Sequence, residues 1–190
     1  MRALEEKILK EGKVFPGHVL NVGSFLNQQI DAAFMKEMGD EIARLFKDEG
    51  VTKILTVETS GIAIALAAAQ SMGVNLVFAK KRQTANMDDS VYSANVYSYT
   101  HKREYKISVS KEYISAGERV LLVDDFLANG AALAGLVELC ESAGACVVGC
   151  SVAIEKGFQQ GGDNLRKKGY RVESLAIIDK MTDETLEFRK

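Results

Sequence analysis

The chain has 190 residues, of which 47% are hydrophobic and 26% charged, a composition typical of a globular protein that forms one core without disulfides. Its 24 basic and 26 acidic residues give a net charge of −2, which argues against nucleic acid or an anionic membrane as the main partner. No apolar run approaches the ~20 residues of a membrane span, and the charged start, MRALEEKILKEGK, is unlike a signal peptide. We expect a single domain over 1–190 and a cytoplasmic location.

Helices and strands alternate in the first half of the predicted structure. The predicted elements are a helix over 3–11, irregular extended structure over 13–30, a helix over about 32–48 capped by Asp31, a strand over 53–57, an Ala-rich helix through Met72, and a strand over 74–79. The order strand, helix, strand predicts a parallel sheet with a right-handed crossover.

The second half continues this alternation after a polar loop. The predicted elements are a mobile loop over 83–90, an antiparallel hairpin over about 91–99 and 104–110, a strand over 120–123, a helix over about 131–142, a strand over 145–154, a short helix over 162–168 and a strand over about 171–178. We expect a mostly parallel sheet of about five strands between helices. The three cysteines, Cys140, Cys146 and Cys150, show no CxxC spacing and are interpreted as buried apolar residues.

One stretch, RVLLVDDFLANGAALAG over 119–135, indicates a binding site. Its apolar run is typical of a strand buried on both faces, and Asp124 and Asp125 follow it directly. Ligands of open α/β sheets bind at the carboxyl ends of strands. A turn of small residues before a helix presents backbone N–H groups to an anion. The stretch therefore predicts a site for a phosphorylated sugar.

The same stretch, VLLV-DD-FL-ANGAA, resembles the binding motif for 5-phospho-α-D-ribose 1-diphosphate (PRPP) in type I phosphoribosyltransferases. That resemblance implies an α/β fold, with a mostly parallel central sheet flanked by helices and a flexible hairpin hood over about 80–110. It implies catalytic roles for Asp124 and Asp125, which would contact the ribose hydroxyls directly or through water around Mg²⁺. No protein metal site is expected, because PRPP would carry most of the Mg²⁺ coordination.

The resemblance assigns the 5-phosphate to the loop made of Ala128, Asn129, Gly130, Ala131 and Ala132. Many relatives have threonines here, so backbone amides would supply most donors in this chain. In hypoxanthine-guanine enzymes an aspartate stands at the position of Ala128, near N7 of the purine. Its absence argues against that subfamily and leaves no general base assigned.

A second turn and a basic triplet are candidates for the pyrophosphate. Ser60 and Gly61 lie in the turn after the strand over 53–57, and we expect them to contact PRPP. Lys81, within Lys80-Lys81-Arg82, is the favoured cation for the pyrophosphate. The alternative is that this triplet is a solvated basic turn.

Base recognition resembles that of the family members that use xanthine, through an N-terminal base-binding segment over 13–30. Lys156 would donate to the purine 6-oxo group and Asn27 to the 2-oxo group. Leu20 would lie over the base, and Phe158, or alternatively Phe126, would stack on it. The implied reaction transfers the phosphoribosyl group of PRPP to N9 of xanthine, giving xanthosine monophosphate (XMP) and pyrophosphate in purine salvage.

Other functions stay open at this point. The chain resembles other purine phosphoribosyltransferases, for adenine or for hypoxanthine and guanine, and also non-catalytic PRPP-sensing regulators. The segment before the domain looks too short for the winged helix of such regulators. A Rossmann dinucleotide enzyme has little support, because no GxGxxG follows a first strand. Family members are homodimers, so a homodimer is expected, with no nucleic acid or membrane partner.

Overall fold

The computed structural model describes residues 1–82, 90–98 and 103–190. Most of the loop predicted over 83–90 and the turn between the hairpin strands lie outside these residues. The elements before the loop are α1 (Arg2–Glu11), β1 (Lys13–Phe15), β2 (Val19–Asn21), a π-helical turn (Gly23–Asn27), α2 (Ala32–Leu45), β3 (Lys53–Val57), α3 (Gly61–Met72) and β4 (Asn75–Arg82). Those after it are β5 (Val91–Ser98), β6 (Arg103–Ser110), β7 (Arg119–Leu127), α4 (Ala131–Ala143), β8 (Cys146–Lys156), α5 (Gly161–Lys167), β9 (Val172–Met181) and β10 (Leu186–Phe188).

Five parallel strands form the centre of an eight-stranded sheet among the described residues. The strand order is β10-β9-β8-β7-β3-β4-β6-β5, and β10, β6 and β5 run antiparallel to their neighbours. The first parallel strand, β3, pairs with β4 on one side and with β7 on the other. The carboxyl ends of β3 and β7 therefore flank a topological switch point, where ligands bind in open α/β sheets.

Two apolar cores cover opposite faces of this sheet. Leu121 and Val123 of β7 pack into the core under α1, α2 and α3. Leu122 packs into the core under α4 and the β5–β6 hairpin. Successive side chains of a strand point to opposite faces, which is why a continuous apolar run is needed where both faces are buried.

The second helix shows how local sequence determines an element and its packing. Asp31 Oδ1 accepts a hydrogen bond from the Phe34 N–H at 3.1 Å, the N-cap interaction that the sequence predicts. The apolar side chains of α2 pack into the core, with Met38 and Ile42 fully inaccessible. A Cβ at Gly39 would lie 2.5 Å from the backbone of Ala67, so this glycine lets α2 pack closely on the Ala-rich α3.

Several boundaries differ from the prediction because strand pairing continues further than the apolar pattern. In β7, Asp124 pairs with Val152, so the acid pair lies within the strand rather than after it. The basic triplet belongs to β4, where Lys80 pairs with Ser108, so the alternative of a basic turn is wrong. The segment over 13–30 contains a small hairpin and a π-helical turn, α2 ends at Leu45, and β10 was not predicted.

The cysteines divide into two environments. Cys140 and Cys150 are buried, as predicted, and burial raises the pKa of both thiols to about 12. Cys146 begins β8 and is exposed, so interpreting it as a buried residue is wrong.

Within the described part of the chain, no helix has the length and apolarity to cross a membrane.

Candidate active site

The acid pair lies at the switch point of the sheet. The pairing of β3 with β7 ends at Leu55 and Leu122, so the two strands separate before the aspartates. Asp124 and Asp125 remain only 6% and 7% exposed. Because side chains alternate along a strand, Asp124 lies on the face of α4 and the β5–β6 hairpin, and Asp125 on the face of α1, α2 and α3.

Asp125 brings together residues from three distant parts of the sequence. Its Oδ2 accepts a hydrogen bond from Asn27 Nδ2 at 2.9 Å, and its Oδ1 accepts one from Ser60 Oγ at 3.1 Å. Asn27 ends the π-helical turn, and Ser60 immediately precedes α3. Both donors are neutral, so the Asp125 carboxylate is oriented by dipoles rather than by a salt bridge.

Asp124 has an environment that disfavours its charge. Burial, followed by the neighbouring charge of Asp125, raises the pKa of Asp124 well above its usual range. Its Oδ1 accepts the Asp125 N–H at 3.0 Å, and the positive charge of Lys81 partly offsets the shift. A Cβ at Gly61 would lie 2.5 Å from Asp124 Oδ1, so α3 begins directly against this carboxylate.

The turn before α4 forms the loop predicted to bind phosphate. Gly130 has a φ of +82°, a conformation that favours glycine, and Asn129 Oδ1 accepts the Ala131 N–H at 3.0 Å. The Gly161 N–H donates to Ala128 O at 3.1 Å, which fixes the start of the loop to the start of α5. A cleft of about 180 Å³ lies between this loop and the hairpin residues Tyr97 and Tyr105.

Residues from β8 and the N-terminal hairpin meet at the predicted base site. Lys156 Nζ donates to His18 O at 2.8 Å, and burial lowers the pKa of Lys156. The rings of His18 and Phe158 lie 5.4 Å apart at 40°, and Phe158 is 36% exposed. Leu20, in β2, is buried.

The third group of predicted residues lies around the carboxyl end of β3. The peptide bond between Glu58 and Thr59 is cis, and Glu58 Oε1 accepts the Lys81 N–H at 2.7 Å. The Lys81 ammonium lies 5.4 Å from the centre of the Tyr105 ring. Lys81 is thus the cation whose charge acts on Asp124, although it lies on a strand and not in a turn.

Comparison with known proteins identifies the family of the chain. The phosphoribosyl transferase domain model matches residues 27–186, which is most of the chain. The chain belongs to this family. It is 54% identical over 192 residues to the xanthine phosphoribosyltransferase of Bifidobacterium animalis subsp. lactis (strain AD011), covering 100% of both chains. It is 51% identical over 188 residues to that of Bacillus cereus (strain G9842), covering 99% of this chain and 95% of the relative.

Solved phosphoribosyltransferase structures confirm the fold that the sequence predicts. The Giardia lamblia adenine enzyme complexed with 9-deazaadenine superposes with a TM-score of 0.76 at 24% identity, covering 92% of this chain and 96% of that one. The adenine phosphoribosyltransferase from Thermoanaerobacter pseudethanolicus gives a TM-score of 0.74 at 22% identity, covering 92% and 98%. At these identities the likeness concerns the α/β fold, with its mostly parallel sheet between helices.

Some residues beside the predicted site were not predicted from the sequence. Tyr105 lines the cleft beside the loop over 128–132, and burial followed by the charge of Asp124 raises the pKa of its hydroxyl. His18 has a positive φ of 60° and contacts both Lys156 and Phe158. Gly161 donates a backbone hydrogen bond to the start of the loop over 128–132. His18 follows Gly17 in the turn between β1 and β2. The Pro-Gly-His sequence is a turn signal that could have indicated this hairpin.

Proposed function

We propose that this phosphoribosyltransferase uses xanthine and PRPP, forming XMP and pyrophosphate in purine salvage. In this reaction the bond from C1 of the ribose to the pyrophosphate breaks, a bond from C1 to N9 of xanthine forms, and N9 loses its proton. The contact that supports the proposal best is the one between Asp125 and both Asn27 and Ser60. This contact joins three residues in one hydrogen-bonded group: Asn27 is predicted to bind the base, Asp125 the ribose and Ser60 the pyrophosphate.

The loop over 128–132 is proposed to bind the 5-phosphate. Its side chains are small, so the phosphate oxygens can reach the backbone N–H groups at the start of α4. The macrodipole of this 13-residue helix favours an anion at its start. Tyr97 and Tyr105 of the hairpin form the opposite wall, so the predicted hood covers the ribose phosphate from this side.

Asp124 and Asp125 are proposed to hold the ribose hydroxyls. Oxygen ligands suit Mg²⁺, and a bound cation would oppose the burial and the neighbouring charge of Asp125 that together raise the pKa of Asp124. The described residues contain no cluster of three side chains able to hold a metal ion by themselves. When bound, Mg²⁺ would neutralise charge on the pyrophosphate, and Asp124 and Asp125 are the residues that would contact it, directly or through water.

The transition state gathers positive charge on C1 and negative charge on the departing pyrophosphate. The two aspartates would stabilise the positive sugar, and the first N–H groups of α3 with Lys81 would stabilise the leaving group. Ser60 immediately precedes α3 and orients Asp125 through a hydrogen bond. Because these groups are held in place before the reaction, catalysis would rest on positioning and electrostatics.

Lys156 and Asn27 are proposed to select xanthine. A lysine ammonium has three N–H donors, and His18 O takes one of them, so the lysine can also reach the 6-oxo group. The Asn27 amide has two N–H groups and gives one to Asp125, so the other can serve the 2-oxo group. Phe158 would stack on the purine beside Leu20, whereas Phe126 packs against the core.

A purine panel tests this proposal. Protein, PRPP and Mg²⁺ are mixed in turn with xanthine, hypoxanthine, guanine and adenine, and the nucleotide is measured by liquid chromatography. We expect XMP as the main product, because a lysine cannot accept the hydrogen bond of the adenine amino group, and an unsatisfied buried donor costs about 1–3 kcal/mol. A preference for adenine would contradict the proposal.

A variant of the base site sharpens the test. Lys156→Met keeps an unbranched side chain only one atom shorter and removes its donors, so the KM for xanthine should rise about tenfold with the KM for PRPP nearly unchanged. Association into a homodimer and a cytoplasmic location stay predictions from the family resemblance, and light scattering on the purified protein tests the first of them.

A further inference from the structure

An ion pair between a buried carboxylate and a partly exposed arginine lies behind the loop over 128–132. Glu155, near the end of β8, is 1% exposed, and its two carboxylate oxygens accept hydrogen bonds from Arg166 Nη1 and Nη2 at 2.8 and 2.7 Å. Ser174 of β9 also donates to Glu155. Burial alone would raise the pKa of Glu155, but the hydrogen bonds of Arg166 and Ser174 hold it below its usual value. Glu155 is therefore ionised and fully paired.

This pair fixes α5 by direct contact. Arg166 lies in α5, and Gly162, in the first turn of the same helix, packs on the Glu155 carboxylate. A Cβ at Gly162 would lie 2.0 Å from Glu155 Oε1. A side chain of any size at this position would therefore push the helix away from β8. The helix α5 is consequently held at the backbone of its first turn and at the arginine of its last turn.

The first turn of α5 in turn fixes the phosphate loop. The Gly161 N–H donates to Ala128 O at 3.1 Å. A Cβ at Gly161 would lie 2.4 Å from Ala128 O and 2.6 Å from the Gly130 nitrogen, so the two segments touch backbone to backbone. A displacement of α5 by a fraction of an ångström would be passed to the loop without any compressible side chain between them.

We propose that Glu155 and Arg166 are positioning residues for the 5-phosphate of PRPP, acting through Gly161 on the loop over 128–132. The inference rests on the proposed function, since it names how the loop assigned there is held. A partly buried ion pair contributes little net stability, because desolvation and solvent screening oppose the attraction. A planar, two-pronged contact instead fixes geometry, and small misplacements of binding groups reduce catalysis strongly.

Calorimetry with ribose 5-phosphate and steady-state kinetics test the proposal in parallel. Arg166→Met should weaken the binding of ribose 5-phosphate and raise the KM for PRPP, each about tenfold, while kcat and the KM for xanthine change less than about twofold. Arg166→Lys keeps the positive charge but not the two parallel hydrogen bonds of the guanidinium, so it should weaken ribose 5-phosphate binding less than Arg166→Met does. Gly161→Ala should act as strongly as Arg166→Met, since its Cβ meets the loop directly.

A matched control is Arg171, which immediately precedes β9. Arg171 forms ion pairs with Glu173 at 2.9 Å and with Glu49 at 2.8 Å, and its guanidinium lies 4.5 Å from the centre of the Phe46 ring. Arg171→Met should lower the melting temperature and leave ribose 5-phosphate binding unchanged. If Arg171→Met weakens that binding as much as Arg166→Met, the effect reflects general stability and the proposal is wrong.

Two further variants keep the test decisive. If Arg166→Met does not fold, the double variant Glu155→Gln, Arg166→Met removes the unpaired buried charge and takes its place. If neither folds, Gly161→Ala decides. Wild-type affinity for ribose 5-phosphate in the folded variant overturns the proposal. A wild-type protein that binds ribose 5-phosphate but makes no nucleotide would contradict the proposed function, while the same calorimetric comparison would still decide the role of Arg166.

Discussion

The carboxylates beside the two ends of β7, at the amino and carboxyl edges of the sheet, have opposite kinds of partner. At the amino edge, Glu118 lies 2.6 Å from Lys53, and both side chains keep some contact with solvent. At the carboxyl edge, Asp124 and Asp125 are almost inaccessible, and Asp125 is held by two neutral donors, Asn27 and Ser60. A carboxylate at the start of β7 is therefore paired with a cation, and one near its end is held by two neutral donors.

This difference separates stability from function. A partly solvated ion pair adds a little to stability and loses little of its hydration when the protein folds. Two buried carboxylates side by side destabilise the protein unless a bound partner supplies positive charge or hydroxyl donors. The raised pKa of Asp124 is the measurable sign of this conflict. Substitutions at the carboxyl edge should therefore change activity more than stability, and those at the amino edge the reverse.

The largest expected effect comes from Asp124→Asn. The variant removes one of the two adjacent buried charges and keeps the size of the side chain, so kcat/KM for PRPP should fall at least about 100-fold, equivalent to about 2.7 kcal/mol. The melting temperature of the ligand-free protein should rise, because the buried charge is gone. Enzyme kinetics and calorimetric unfolding measure the two effects on the same preparation.

The pH dependence of stability tests whether the charge of Asp124 is what destabilises the native protein. An acid whose pKa is raised on folding binds its proton more tightly in the native state, so native stability falls as the pH rises from the unfolded pKa through the folded pKa. The stability advantage of Asp124→Asn should therefore be small near pH 4 and grow as the pH rises. An advantage that does not change with pH would mean that the charge of Asp124 is not what destabilises the native protein.

A smaller effect is expected from Gly130→Val. Gly130 has a φ of +82°, and its Cβ would lie 3.1 Å from Gly161 Cα, so a branched side chain distorts the loop. The KM for PRPP should rise more than tenfold, because the loop is proposed to bind phosphate through its backbone. Gly17→Val is a matched control: it also has a positive φ, of +83°, but nothing within 4 Å of its Cβ position. Unchanged PRPP kinetics in Gly130→Val would remove the loop from the site.

The order of the elements and the acid pair could be predicted from the sequence because they depend on local patterns. The apolar run before Asp124 required a strand buried on both faces, and the small residues after it required a turn before a helix. These signals depend on neighbours along the chain. They therefore identify the residues of a strand or loop, but not its partners from elsewhere in the sequence.

The contacts between distant segments could not be predicted in this way. The hydrogen bond from Asn27 to Asp125 spans 98 residues, and the ion pair between Glu155 and Arg166 depends on how α5 packs on β8. The acid pair also proved to lie within β7, because pairing with β8 continues past the apolar run. Family resemblance supplied the role of Asn27 toward the base, but not its contact with the carboxylate.

A moderate effect is expected from Phe158→Leu at the carboxyl edge. Phe158 is 36% exposed and contacts His18, so its ring adds little to the core and is available to a planar base. The KM for xanthine should rise about fivefold, in line with the ~0.5–1.5 kcal/mol of an aromatic pair. The melting temperature should hardly change. Steady-state kinetics with xanthine varied at saturating PRPP measure the effect, and an unchanged KM would leave the stacking role to another residue.

The smallest effect is expected from Glu118→Gln at the amino edge. Burial raises the pKa of Glu118, but the hydrogen bonds from Lys53 and the Ser115 N–H outweigh it and hold the pKa below its usual value. Glutamine can still accept the Ser115 N–H, which Glu118 Oε2 accepts at 2.8 Å, so the variant isolates the charge. It should cost at most about 1 kcal/mol at pH 7, with all KM values unchanged.

The sign of its pH dependence is opposite to that of Asp124→Asn. An acid whose pKa is depressed on folding stabilises the native protein above its unfolded pKa, and this stability is lost as the pH falls through the folded pKa. Glu118→Gln should therefore be less stable than the wild type at neutral pH and approach it in acid, as urea unfolding at several pH values would show. If this variant raised the KM for PRPP, the amino edge would be coupled to the site, and the division of the sheet into a stabilising edge and a binding edge would fail.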